Sequence, residues 1–84
     1  MPGECSEIHF ASSVFCQLQR FRKEHGNEAA ALYNNILDCL QGRLDCPETA
    51  ARGGKIRLRI GRYRVIAAMK GERCDVLRIY RSLV

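Results

Sequence analysis

The 84 residues hold fourteen Lys/Arg against nine Asp/Glu, a net charge of +5, and no apolar run approaches the ~20 residues needed to span a bilayer. A chain of this length reads as a single domain, residues 1–84, able to bury only about 60% of its unfolded surface, so the core is small. A membrane-spanning helix is not expected.

The charge is unevenly spread: residues 1–51 hold four Lys/Arg and seven Asp/Glu, or −3, and residues 52–84 hold ten and two, or +8. Such a basic half attracts nucleic-acid phosphates, anionic surfaces or an acidic protein segment. The five cysteines, Cys5, Cys16, Cys39, Cys46 and Cys74, are odd in number and lack CxxC spacing, and no apolar leader opens the chain. They read as free thiols in a reducing, cytoplasmic setting. A zinc site from Cys39, Cys46 and a histidine fits no usual ligand spacing, and no metal or cofactor is expected.

In chain order, residues 1–6 have no periodic signal and read as frayed, and Glu7–Phe10 alternates as a short strand. Val14, Leu18 and Phe21, widened by Phe15, mark a helix capped by Ser12 or Ser13 and running to about His25. Gly26 suits a left-handed C′ position, and Asn27 an N-cap for a second helix with Leu32, Tyr33, Ile36, Leu37 and Leu40, ended by Gly42. So short a connection predicts a helical hairpin. Its apolar stripes could form a partner groove, but covering the sheet is the stronger reading, because nothing else would bury that sheet. His9 and His25 read as incidental, with no acid at a useful spacing. Residues 42–54 read as a connecting loop.

Lys55 to Tyr80 reads as three antiparallel strands with tight turns at Gly61 and Gly71. A two-residue turn of Gly61 and Arg62 sets Ile60 opposite Tyr63, Arg59 opposite Arg64, Leu58 opposite Val65 and Arg57 opposite Ile66. Ile56, Leu58, Ile60, Tyr63, Val65 and Ala67 then share one face, and Arg57, Arg59 and Arg64 the other. Two arginines directly across a ladder cost about 0.2–1 kcal/mol unless an anion sits between them. A solvated outer face is the plain alternative; arginines with no acid interleaved, and no Glu or Asp expected on their face, favour a binding face. In the last strand, Leu77 and Ile79 favour one core face and Val76 the other, which leaves Tyr80 unplaced.

The layout, with IRLRIGRYRV and a terminal VLRIYR, resembles the RelE/ParE superfamily of bacterial toxins. The resemblance implies an α+β RelE-like fold, with an N-terminal helical hairpin packed on one face of a small antiparallel sheet. It also implies a toxin of a type II toxin–antitoxin module, bound by an antitoxin through an expected acidic segment. RelE-like members cleave mRNA in the ribosome; ParE-like members inhibit DNA gyrase, and an inactive antitoxin-binding relative is a third reading. By position, Arg64, Arg59 and Arg81 match catalytic or phosphate-contacting residues, and Lys55, Arg57, Arg62 and Tyr80 form the expected nucleic-acid surface. The chemistry implied is attack of an RNA 2′-hydroxyl on the adjacent phosphate without metal, helped by guanidiniums. Two departures stand out: no tyrosine or histidine follows Arg81, and Arg59 stays protonated where a lysine could act as base.

Overall fold

The structure, a computed structural model, describes residues 5–83. It is a mixed α+β arrangement with a five-stranded sheet in the order β1-β5-β4-β3-β2. The strands are β1 (Glu7–Phe10), β2 (Glu48–Ala50), β3 (Lys55–Ile60), β4 (Tyr63–Lys70) and β5 (Arg73–Arg81). The helical segments are α1 (Ser12–His25), α2 (Asn27–Ala30) and α3 (Leu32–Leu40), with a 3-10 turn at Arg52–Gly54.

Two of these strands change the sheet from the sequence reading. β1 joins β5 in parallel, Ile8 beside Cys74 and Phe10 beside Val76, so the sheet is mixed rather than antiparallel throughout. β2 lies inside the stretch read as a loop and pairs antiparallel with β3, Thr49 opposite Arg57. It is three residues long and exposed throughout, so it has no apolar alternation to betray it.

The central hairpin follows period-two logic. Ile60 faces Tyr63, Arg59 faces Arg64, Leu58 faces Val65 and Arg57 faces Ile66. Gly61 adopts φ +58° at the first turn position, a conformation that a side chain disfavours. Leu58, Ile60, Tyr63, Val65 and Ala67 are buried on one face, with Ile56 packed against them.

β5 solves its own facing conflict with a bulge. Arg78 pairs with Ile66 but Val76 pairs with the next residue, Ala67, so Leu77 is the extra residue. Val76 and Ile79, three apart, therefore both enter the core. The Ile79 amide is taken by Gln17 Oε1 of α1 at 2.9 Å.

The helices supply the other half of the core through Val14, Phe21, Ala29, Leu32, Ile36 and Leu40, which join the sheet residues in one cluster. α1 packs against β5 and α3 against β3. No serine caps α1: its N-cap is Ala11, whose N–H bonds Val76 O at 2.9 Å, so β5 rather than a side chain holds the helix start. Gly26, at φ +55°, is itself the N-cap of α2, which places Asn27 inside the helix, and Ala31 separates α2 from α3. Cys5 and Ser6, expected to fray, are held: Cys5 is buried and donates its amide to Leu40 O at 2.9 Å. The rest of that expectation, residues 1–4, lies outside the described residues.

Cys39 and Cys46 form a disulfide, with Cα atoms 5.9 Å apart, which overturns free thiols for this pair. Their spacing matches no common motif, so only the turn after α3 brings them together. Among the described residues, no helix is long and apolar enough to cross a membrane.

Ile79 is 1% exposed, so Ile79→Ala should destabilise the fold by about 2–5 kcal/mol, read from the urea midpoint at unchanged slope. A loss well under ~1 kcal/mol would place the residue outside the core and remove the argument for the bulge.

Candidate nucleic-acid interface

The face opposite the core is where β3 and β4 set their arginines. Arg57 and Arg59, two apart on β3, are exposed, and Arg64 on β4 is half-buried directly across from Arg59. With Pro47 and Thr49 they enclose a cleft of about 230 Å³. The β2 segment is thus one wall, positioned by its pairing with β3 and by the Arg59 N–H, which donates to Pro47 O at 3.0 Å.

Arg64 is partly anchored before any ligand arrives. Its Nη1 donates to Gly61 O and Tyr63 O, both at 3.0 Å, which fixes the guanidinium over the turn and leaves its other N–H groups available. Among the described residues, no carboxylate pairs with Arg57, Arg59 or Arg64. A fork of three unneutralised guanidiniums at an open cleft is suited to a phosphate or carboxylate bound through several N–H donors.

The same face carries more than the arginines. Tyr80, unplaced from the sequence, lies directly across from Arg64, and the Arg78 guanidinium sits 5.5 Å from its ring centroid. Lys55 starts β3 on this face, opposite Ala68. Two acids are present here as well, against the expectation of none. Asp75 lies opposite Ala68 and pairs with Arg73 at 3.0 Å, while Glu7 on β1 bonds His9 at 2.7 Å. Each is taken up by a neighbour at the β1–β5 side of the sheet.

Arg81 and Arg62 go elsewhere. Arg81 is opposite Tyr63, on the helix-covered side, and its Nε and Nη2 meet the two Glu28 oxygens at 2.8 and 3.1 Å. Arg62 Nε lies 3.7 Å from the same carboxylate, and the Tyr63 hydroxyl donates to it at 2.8 Å. The structure thus brings Arg57, Arg59 and Arg64 together, sets Lys55 and Tyr80 on the same face, and separates Arg81 and Arg62 from them. His25, read as having no acid nearby, is 3.9 Å from Glu28, because the turn at Gly26 folds α2 back toward the end of α1. The bulge decides these sides: an unbulged β5 would exchange Tyr80 and Arg81 between faces.

Sequence reasoning missed Pro47, Thr49, Arg78 and Glu28. Only Arg78 had a usable signal, the facing conflict around Leu77; β2 is too short and Glu28 too remote in sequence from its partners.

An α+β chain with an unneutralised arginine cleft on its open sheet face is thus the class defined by fold and geometry. No family model matches the sequence, and no curated protein sequence matches it. Among solved structures, the fold is similar to a chain of the RelB-RelE antitoxin-toxin complex from Methanococcus jannaschii. The two are 18% identical with a TM-score of 0.58, over 87% of this chain and 88% of that one, a likeness that shows a shared fold.

Hydrogen bonds from Arg81 and then Tyr63 lower the Glu28 carboxyl from 4.5 to about 2. The folded state therefore holds that proton less tightly than the unfolded chain, so the contribution is full above about 4.5 and is lost as pH falls through about 2. Glu28→Gln should flatten the stability profile across this window, measured by urea unfolding at each pH. Parallel profiles for the two proteins would show that the network does not hold Glu28 ionised.

Proposed function

We propose that this chain is the toxin of a type II toxin–antitoxin pair and acts as a ribosome-dependent mRNA endonuclease of RelE type in the cytoplasm. The reading includes a RelE-like arrangement, with an N-terminal helical hairpin over one sheet face. The observation that carries it is the convergence of Arg57, Arg59 and Arg64 in one cleft away from the core. The shared fold with a chain of a RelB-RelE complex supports the same reading.

In this reading the cleft takes the scissile phosphate of a message. Attack by the 2′-hydroxyl produces a phosphorane with more negative charge than the ground state, and guanidiniums already aimed at the cleft stabilise that extra charge most. Arg64, fixed by the turn carbonyls, and Arg59 across from it are the transition-state pair. Arg57 and Lys55 follow the flanking backbone, and Tyr80 offers a ring to a neighbouring base. Arg81 and Arg62, tied to Glu28, serve the fold. An antitoxin with an acidic segment would neutralise the +8 half of the chain and cover the cleft.

One observation favours a second reading, binding without cleavage, as in a ParE-like gyrase inhibitor or an inactive antitoxin-binding relative. The residues that enclose the cleft are three arginines, a proline and a threonine, none of which accepts a proton readily.

Induced expression of the wild type in bacteria should arrest growth and cut messages within translated codons, mapped by primer extension. Arg64→Ala and Arg59→Ala should each lower cleavage by about 10²-fold or more while still co-purifying with the antitoxin. Arrest with intact messages and a DNA-damage response would replace the nuclease by the gyrase reading, and no arrest would leave a binding module.

A further inference from the structure

The wall of the arginine cleft is tied to the helical layer by a covalent bond. Cys39 is in the last turn of α3 and buried, while Cys46 immediately precedes Pro47, which with Thr49 borders Arg57, Arg59 and Arg64. Residues 43 and 44 are also held, both amides donating to Asp38 O at 2.8 and 3.1 Å. Among the described residues, the ties between Leu44 and Ala50 are the disulfide, the packing of half-buried Cys46 against the core, the Arg59 N–H bond to Pro47 O, and the three-residue ladder with β3. A three-residue edge strand with every residue exposed has little packing to keep it in place. Removing the crosslink returns conformational freedom to the segment that carries the wall.

We propose that the Cys39–Cys46 disulfide is a redox-controlled strap on the cleft: closed, it holds Pro47 and Thr49 beside the arginines, and opened, it frees β2 and weakens anion binding. The inference rests on the cleft being the anion site argued above. The agent that opens it is a dithiol reductant. One of its thiolates attacks Sγ of half-buried Cys46, breaking the Cys39–Cys46 bond and forming a mixed disulfide. Its second thiolate then expels the Cys46 sulfur, and the reductant leaves as its own disulfide. Cys39 and Cys46 have gained two electrons and two protons.

The other cysteines do not compete for this role. Cys5 and Cys74 lie in the core, where burial first, then the neighbouring Cys5 thiol, pushes Cys74 up to about 12. Cys16 is exposed on α1, away from the cleft.

The test uses the full chain with Cys16→Ser, which prevents crosslinking between molecules, oxidised or reduced with dithiothreitol. Hydrogen exchange is followed at the β2–β3 amides, with the β4–β5 amides as a check on the fold. Binding of a short single-stranded RNA is measured in both states and in Arg57→Ala. Reduction should speed exchange at β2–β3 by about tenfold, leave β4–β5 unchanged, and weaken RNA binding by several-fold. The double variant Cys39→Ser/Cys46→Ser should behave as the reduced protein whatever the redox state. Equal exchange in the two states, or faster exchange with equal affinity, overturns the strap while binding lost in Arg57→Ala leaves the cleft standing. No RNA bound by either state removes the cleft reading, and the strap with it.

Discussion

Arg59 and Arg64 face each other across a β-ladder, an arrangement that repels and that persists only because the opposite face of the same two strands is locked into the core. The repulsion is worth about 0.2–1 kcal/mol. Burial of Leu58, Ile60, Tyr63 and Val65 outweighs it several times over, since each such side chain contributes about 1.5–3 kcal/mol. Slipping the register by one residue would relieve the repulsion but turn all four apolar side chains to water. The core therefore holds the arginines in an arrangement that a bound anion would relax.

The bulge at Leu77 extends this division of labour to β5. It allows Val76 and Ile79 to enter the core together, and in doing so it sends Tyr80 to the arginine face and Arg81 to the helical side. There Arg81 meets Glu28, which gathers Arg81, Tyr63 and Arg62 around one carboxylate and ties α2 to the ends of β4 and β5. Strand geometry thus draws Arg81 and Arg62 to Glu28 on the helical side and leaves Arg57, Arg59 and Arg64 without a carboxylate partner, among the described residues, on the far face. Net charge alone could not have distinguished the two.

What was legible in the sequence follows from how local its cause is. The β3–β4 register was readable because one turn and a period-two pattern determine every pair from Arg57–Ile66 to Ile60–Tyr63. The helix limits at Ser12, His25 and Leu40 were close to readable for the same reason, a 3.6-residue stripe ended by glycine. β2 was hidden, because its three residues are ordered by pairing with β3 rather than by any pattern of their own. The side on which Tyr80 and Arg81 fall was undecidable without the bulge, and a bulge answers to packing from both sheet neighbours. The Cys39–Cys46 pairing and the Glu28 network join residues whose proximity is made by tertiary structure.

The composition of the cleft limits the chemistry that can be asked of it. Guanidiniums stabilise a phosphorane by hydrogen bonding and charge, both stronger when the site is partly walled from water, as Pro47 and Thr49 wall this one. They do not take the proton that the attacking 2′-hydroxyl must lose. Catalysis in this cleft would then rest on electrostatic stabilisation, with the proton passing to water or to a group of the bound RNA–ribosome assembly. On that division the arginines would suffice for anion recognition by themselves and would depend on a larger complex for cleavage, which is the physical content of the choice between the proposed nuclease and a binding protein.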